Sequence, residues 1–180
     1  MNICVFGAAR DEIGAEFMAL GEALGREIAR RGHTLVFGAG GHGMMGAAAR
    51  GVYANGGRII GVVPYFFNAP GLLFEHCSEL IRMETMAERK TKMIELGDVF
   101  VAMPGGTGTL EEISEVMSLL ALDRLEAPCI LYNLHGYYDS LQQLLDRMIA
   151  ADLSSEYRQR NIYFVKNLDE LQKVLDSCLS

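Results

Sequence analysis

The 180-residue chain is poor in the residues that build metal and disulfide scaffolds. It has four cysteines, Cys4, Cys77, Cys129 and Cys178, and four histidines. None of the cysteines forms a C-x-x-C pair, which argues against a zinc site. Isolated cysteines in apolar runs read as buried thiols of a reducing compartment. Positive charge is also scarce: 16 Lys and Arg stand against 23 Asp and Glu, a net charge of −7. A nucleic-acid polymer needs a basic face, so it is an unexpected partner. A small anion needs only a local positive potential and stays open. No apolar run approaches the ~18 residues of a membrane span. The start, MNICVFGAARDE, lacks the basic and apolar segments of a secretory signal. The expectation is a soluble, cytoplasmic protein with a single domain over residues 1–180, a length that suits one well-buried core.

What is present is alternation. Apolar runs at 3–7, 34–38, 58–64, 79–83, 99–103, 129–133 and 162–166 read as strands. Helical patterns near 13–31, 43–56, 85–96, 109–123, 138–151 and 168–178 follow them. Most of the runs are continuously apolar, as in strands buried on both faces of a parallel sheet. The expected fold class is α/β: a Rossmann-like, doubly wound, mostly parallel sheet with helices on both faces. Ligands of such sheets bind beyond the carboxyl ends of the strands. Three of those ends are rich in glycine: Phe6–Arg10 (FGAAR), Phe37–Gly46 (FGAGGHGMMG) and Met103–Glu112 (MPGGTGTLEE).

The second turn fits G-x-G-x-x-G over Gly38–Gly43. A dinucleotide site of that kind carries an acid about 20 residues on, at the end of the next strand. That strand, RIIGVVP, ends at Pro64 without one, which weakens the dinucleotide reading. The chain also lacks G-x-x-x-x-G-K-[ST], so nucleoside triphosphate hydrolysis has no support. The third turn is better built for an anion. Gly105, Gly106 and Gly108 let a ligand approach the backbone, Thr107 and Thr109 add hydroxyls, and a helix start near Thr109 would aim N–H groups at a phosphate. Thr109-Leu110-Glu111-Glu112 also reads as a capping box, with Glu112 returning to the Thr109 backbone. In Glu84–Gly97, the ~100° helical increment places Glu88, Lys92 and Glu95 on the solvent face. Arg89 and Lys90 flank the inward stripe of Met86, Met93 and Gly97. Inward cations call for an anionic partner, either a ligand phosphate or Glu111 and Glu112. Val116–Leu122 is apolar on nearly every side and reads either as a core helix or as an interface. His33, His42, His76 and His135 show no assignable partner.

Arg89-Lys90 together with Pro104-Gly105-Gly106-Thr107-Gly108-Thr109-Leu110-Glu111-Glu112 resembles the two motifs of the cytokinin-activating phosphoribohydrolase family, often mislabelled lysine decarboxylases. The CVFG start, LVFGAGGHGMMG and CILYNLHGYYDSL extend the resemblance over nearly the whole chain. It implies a Rossmann-like homodimer that hydrolyses the N-glycosidic bond of a nucleoside 5′-monophosphate, giving base and ribose 5-phosphate without a cofactor. It implies Arg89 and Glu112 as the catalytic pair. For substrate binding it implies Gly7, Ala8, Gly40, Gly41, Met45, Lys90, Gly105, Gly106, Thr107, Gly108, Thr109, Glu111 and Ser118. The chain departs from the family pattern at Gly7–Arg10, where serines are usual and where Arg10 is a candidate phosphate ligand. It departs also at Ala87, Thr107 and Ser118-Leu119. These changes bear on which base is released. The rival reading is a nonenzymatic carrier of a nucleotide or a molybdenum-cofactor-like pterin. A pyridoxal-dependent decarboxylase would need a Schiff-base lysine and an acid for the ring nitrogen, and Lys90 and Lys92 qualify only by being lysines.

Overall fold

The computed structural model describes residues 1–67 and 69–177. Cys178 and the end of the last expected helix lie outside them. The chain divides into two compact units, Met1–Asp98 and the remainder from Val99. Strands and helices largely alternate, and the strand pairings among the described residues are parallel, so the fold is α/β.

In the first unit the strands β1 (Asn2–Phe6), β2 (Thr34–Phe37), β3 (Arg58–Pro64) and β4 (Glu79–Met83) lie in the order β4-β3-β2-β1. The register pairs Ile3 with Leu35, Leu35 with Ile59 and Ile60 with Glu79. The inner strands are apolar at nearly every position because both faces are covered, and Ile3, Cys4, Leu35, Val36, Ile59 and Val62 are fully buried. The helices are α1 (Ala15–Arg30), α2 (Gly43–Ala54) and α3 (Met86–Leu96). α1 packs along α2, and α3 lies against all four strands. The first pair owes its closeness to glycine. A Cβ on Gly25 would sit 2.0 Å from the Ala48 carbonyl oxygen, and one on Gly51 2.3 Å from that of Glu22. No side chain fits between the two backbones.

The second unit orders β5 (Val99–Ala102), β6 (Cys129–Tyr132) and β7 (Ile162–Val165) as β5-β6-β7. Its helices are α4 (Thr107–Ala121), α5 (Asp139–Ala150), α6 (Glu156–Gln159) and α7 (Leu168–Ser177). β5 and β6 are buried throughout. The expected strands and helices are all found to within about two residues, the usual spread of element ends. The one-turn α6, started by a Ser155 cap on the Arg158 N–H, was not expected; four residues are too few to show a period. Among the described residues no helix is long and apolar enough to cross a membrane.

The thiols follow the sequence reading in part. Cys4 and Cys129 are buried, and burial pushes the Cys129 thiol well above its ordinary value. Cys77 is only half-buried, its Sγ–H donates to the Phe74 carbonyl at 3.5 Å, and desolvation raises it to about 11.

Candidate active site

In the first unit, two of the glycine turns interlock at the carboxyl ends of β1 and β2. Gly43 opens α2 with φ +59, and a Cβ there would fall 2.6 Å from the Arg10 nitrogen and 2.7 Å from the Ala8 oxygen. The first turn therefore lies directly on the second. The Met45 N–H donates to the Ala8 carbonyl at 3.2 Å, and the Gly43 N–H donates to Asp11 Oδ1 at 2.8 Å. Gly7 and Ala8 are half-buried, and Met45 is buried. The segment between β3 and β4 then crosses the second turn. Gly41 N–H donates to the Leu72 carbonyl at 2.9 Å, Phe74 N–H donates to that of Ala39 at 2.8 Å, and Gly40 bridges Leu73 in antiparallel fashion. Of the expected ligand groups, Gly41 and Met45 thus spend their N–H groups on the protein. Arg10 reaches outward: it pairs with Glu12 at 3.4 Å, with 82% of its side chain exposed. It is a solvated loop charge.

Arg89 stands on α3, whose start is a capping box that sequence reasoning placed elsewhere. The Thr85 hydroxyl accepts from Glu88 N–H at 3.1 Å, and the Glu88 carboxylate accepts from Thr85 N–H. Glu88, taken for a plain solvent-face charge, therefore sets the helix start. That start fixes the facing of the next residues: Met93 is buried and Arg89 and Lys90 are half-buried, as the helical wheel expects, but Met86 in the first turn is exposed and Lys92 is half-buried, against it. The Arg89 Nε–H donates to the Val62 carbonyl of β3 at 3.1 Å. Its guanidinium lies over Gly38 so closely that a Cβ there would meet Nη2 at 1.8 Å. Gly38 thus makes the room in which Arg89 sits.

In the second unit, α4 begins at Thr107 with Gly106 as N-cap and no side-chain cap. The expected capping box on Thr109 is corrected here. Thr109 is the third residue inside the helix, 5% exposed, so its hydroxyl has no helix end to cap. It packs instead on the turn, since a Cβ on Gly105 would meet its Oγ1 at 2.2 Å. Gly106, Thr107, Gly108 and Glu111 are exposed, and Glu112 is half-buried one turn further on. The first-turn N–H groups of α4 have no partners within the helix, and the positive end of its dipole lies at this open turn. Ser118 is exposed and donates its hydroxyl back to the Ser114 carbonyl at 2.8 Å. Val116 and Leu120 are buried, whereas Leu110 is 44% and Leu122 65% exposed. The all-round apolar helix is therefore covered on one side only.

Two tyrosines hold this turn by its backbone. Tyr138, buried, donates its hydroxyl to the Met103 carbonyl at 2.7 Å, and Tyr137 donates to that of Gly105. Burial pushes the Tyr138 phenol above its ordinary range, so it stays a donor. The loop behind them is fixed by buried Asn133, which donates to Asp139 Oδ1 at 2.7 Å and accepts from Tyr138 N–H at 2.6 Å. Sequence reasoning read Gly38 only as a turn glycine, and it missed Asp11 and the role of both tyrosines. The pair after the glycine in Gly136-Tyr137-Tyr138 was a readable signal. Asp11 offered none.

His42 also acquires partners that the sequence did not reveal. Its Nδ1 lies 2.6 Å from Asp11 Oδ2 and its Nε2 3.0 Å from the Gly71 carbonyl. Hydrogen bonding to Asp11 first, and then to Gly71, raises its pKa above the ordinary 6.5. The Asp11 carboxyl is held below 3.8 chiefly by the Gly43 N–H and next by His42. Two of the other three histidines are placed as well: the His33 ring meets the Met1 amino group at 3.5 Å, and His76 stacks on Tyr53 with centroids 4.3 Å apart.

Residues 45–175 match the family described as possible lysine decarboxylase. The chain is 34% identical to a probable cytokinin riboside 5′-monophosphate phosphoribohydrolase of Oryza sativa, over 94% of this chain and 69% of the other. It belongs to the cytokinin riboside 5′-monophosphate phosphoribohydrolase family. The bacterial member from Rhodococcoides fascians is 33% identical over 93% of this chain and 85% of its own. One from Arabidopsis thaliana is 33% identical over 97% and 81%. Among solved structures, the molybdenum cofactor carrier protein of Chlamydomonas reinhardtii superposes with a TM-score of 0.76 over 99% of this chain and 97% of that one. The molybdenum cofactor binding protein of Rippkaea orientalis gives 0.75. Both are 20% identical, so their likeness shows the shared Rossmann-like fold.

Proposed function

We propose that the protein hydrolyses the N-glycosidic bond of a nucleoside 5′-monophosphate, a cytokinin riboside 5′-monophosphate or a related purine or pyrimidine nucleotide, to free base and ribose 5-phosphate. The relatives' names support the reaction. The observation that carries it onto residues is the open start of α4: exposed Gly106–Gly108 N–H groups at a helix N-terminus, with Glu111 and Glu112 one turn behind. Such a turn suits a phosphate monoester. The carboxylates then stand about one sugar's length along the helix from it.

In this reading residues 1–180 serve one nucleotide. In the second unit the Gly105–Thr109 turn holds the 5′-phosphate and Ser118 is a substrate-binding residue. In the first unit Gly7, Ala8, Gly40, Gly41 and Met45 are substrate-binding residues and Lys90 is a counter-charge for the phosphate. Water adds to the anomeric carbon as the C–N bond breaks. The bonding pair leaves with the base, one water proton goes to the carboxylate, and that proton is passed on to the leaving base. Positive charge on the sugar peaks between these events, where a carboxylate stabilises it. Glu112 takes this role, Glu111 holds the ribose, and Arg89 orients the nucleotide. No step calls on a cofactor. A second copy of the chain covering Leu110 and Leu122 completes a cytoplasmic homodimer.

The test is a panel of nucleoside monophosphates with free base read by chromatography. Glu112→Gln is expected to lose base release by ~10³-fold or more while keeping nucleotide affinity. Undiminished turnover in that variant would remove Glu112 from the mechanism. Binding across the panel without release by the native protein would favour a carrier of a phosphorylated ligand.

A further inference from the structure

The segment Gly71–Phe74 forms a strap across the second glycine turn. Two backbone hydrogen bonds, Gly41 to Leu72 and Phe74 to Ala39, tie it down along one side. Its far end carries Phe74 and His76, which pack with Tyr53 of α2. Its near end, Gly71, is tied through the His42 ring, and that tie differs from the others in kind. His42 Nδ1 faces a carboxylate and Nε2 faces a carbonyl oxygen. Neither partner has a proton to give, because the Asp11 carboxyl also accepts from the Gly43 N–H. Both ring nitrogens must therefore donate, and only an imidazolium can do so. A neutral ring carries one N–H and keeps one of the two bonds. The bond to the charged carboxylate is the stronger, so the tie to Gly71 is the one that fails.

We propose that His42 is a positioning residue: as an imidazolium it joins Asp11 of the first turn to the Gly71 carbonyl, and so clamps the strap onto the glycine turn it covers. The charges around it are few. Asp11 favours the imidazolium. Arg50, whose Nη1 donates to the Gly41 carbonyl at 3.1 Å, opposes it. Arg10 and Glu12 beside Asp11 pair with each other. His76, two residues beyond the strap, is stacked on Tyr53.

The direction in pH follows from the two shifts. His42 is raised in the folded protein, so its contribution is complete below 6.5 and is lost as pH climbs through the folded value. Asp11 is lowered, so its contribution is complete above 3.8 and is lost as pH falls through its own folded value. Between them the clamp is closed. Above the raised His42 value the near end of the strap comes free while the backbone ladder loosens.

That the clamped turn forms part of a nucleotide site rests on the proposed function, but the clamp itself does not. The first measurement is hydrogen exchange at the Gly41 and Phe74 amides, alongside the NMR titration of the His42 ring, in the full native chain. Protection, corrected for intrinsic exchange, is expected to fall roughly fivefold as the ring titrates, the usual worth of one such bond. In His42→Gln it is expected to be lower and flat with pH. In Asp11→Asn the His42 titration is expected to move down. A ring that titrates at or below 6.5, or protection unchanged through the titration, overturns the clamp. The second measurement is KM for a nucleoside monophosphate: native KM rises across the His42 titration relative to His42→Gln, with kcat less affected. If exchange responds but no nucleotide is cleaved, the clamp stands and the reaction falls. If cleavage occurs with pH-flat exchange, the reverse holds.

Discussion

Gly38→Ala is the sharpest probe of the site, because it separates the position of Arg89 from the integrity of the fold. The added Cβ would lie 1.8 Å from Arg89 Nη2 and 3.0 Å from Cζ, with Nε next at 3.4 Å. The three nearest atoms all belong to that one side chain. Ordinary contact begins near 3.4 Å, so the guanidinium must retreat by about 1.6 Å. The backbone of Gly38 is not in the left-handed region, so alanine adds no strain there. Moving the guanidinium breaks its bond to the Val62 carbonyl, a cost of ~1.5–3 kcal/mol if fully desolvated and less for a half-buried group that water can reach. The reduced freedom of the unfolded chain returns ~0.4–1 kcal/mol. The net effect on stability is about 1 kcal/mol, a few degrees in Tm for a chain of this size. Catalysis is far less forgiving. A displacement of about 1 Å in a positioning group costs on the order of 10²-fold, or ~2.7 kcal/mol of transition-state stabilisation. The assay is base release from a nucleoside monophosphate, run beside a thermal melt, for Gly38→Ala, Arg89→Ala and the double variant. If alanine acts only through Arg89, the double variant is no slower than Arg89→Ala alone. Full activity in Gly38→Ala, or two effects that multiply, would refute the reasoning.

Two other substitutions test the packing behind the site. Gly25→Ala drives a Cβ to 2.0 Å from the Ala48 oxygen and 3.0 Å from the Val52 nitrogen, backbone that cannot swing aside; a loss of ~3 kcal/mol or more is expected in the denaturant midpoint. Tyr138→Phe leaves the Met103 carbonyl without its tyrosine donor in a buried place, with an expected cost of ~1–3 kcal/mol. Because Met103 leads into the Gly105–Thr109 turn, the same variant is expected to raise KM for a nucleoside monophosphate more than it lowers kcat. Unchanged stability would show that the hydroxyl carries no load there.

The fold was legible in this sequence because its signals are local. Runs such as VFVA and CILY are buried on both faces, and the wheel that turned Arg89 inward works within one helix. The misplaced capping box shows where local reading stops. Thr85-Met86-Ala87-Glu88 and Thr109-Leu110-Glu111-Glu112 carry the same T-x-x-E spacing. The first caps a helix. The second lies inside one, because Gly106 is the N-cap of α4 and the helix begins at Thr107, two residues before Thr109. Nothing within four residues separates the two cases; the glycines that let α4 begin early do. His42 is a stronger instance. Its partners stand 31 and 29 residues away, on loops with no pattern of their own.

The two units support their glycine turns by different means, and the difference predicts which turn can respond to conditions. In the second unit the supports are phenol hydroxyls on carbonyls. Burial keeps Tyr138 protonated far above neutral pH, so that hold is constant. In the first unit the turn carries a backbone ladder plus an exposed histidine that must be charged to make both its bonds. Arg89 also stands in this unit, its Nε–H on the Val62 carbonyl and its guanidinium in the room that Gly38 leaves. The first unit's turn is therefore the one expected to respond to pH, and its hold has to be read by exchange and kinetics across the His42 titration.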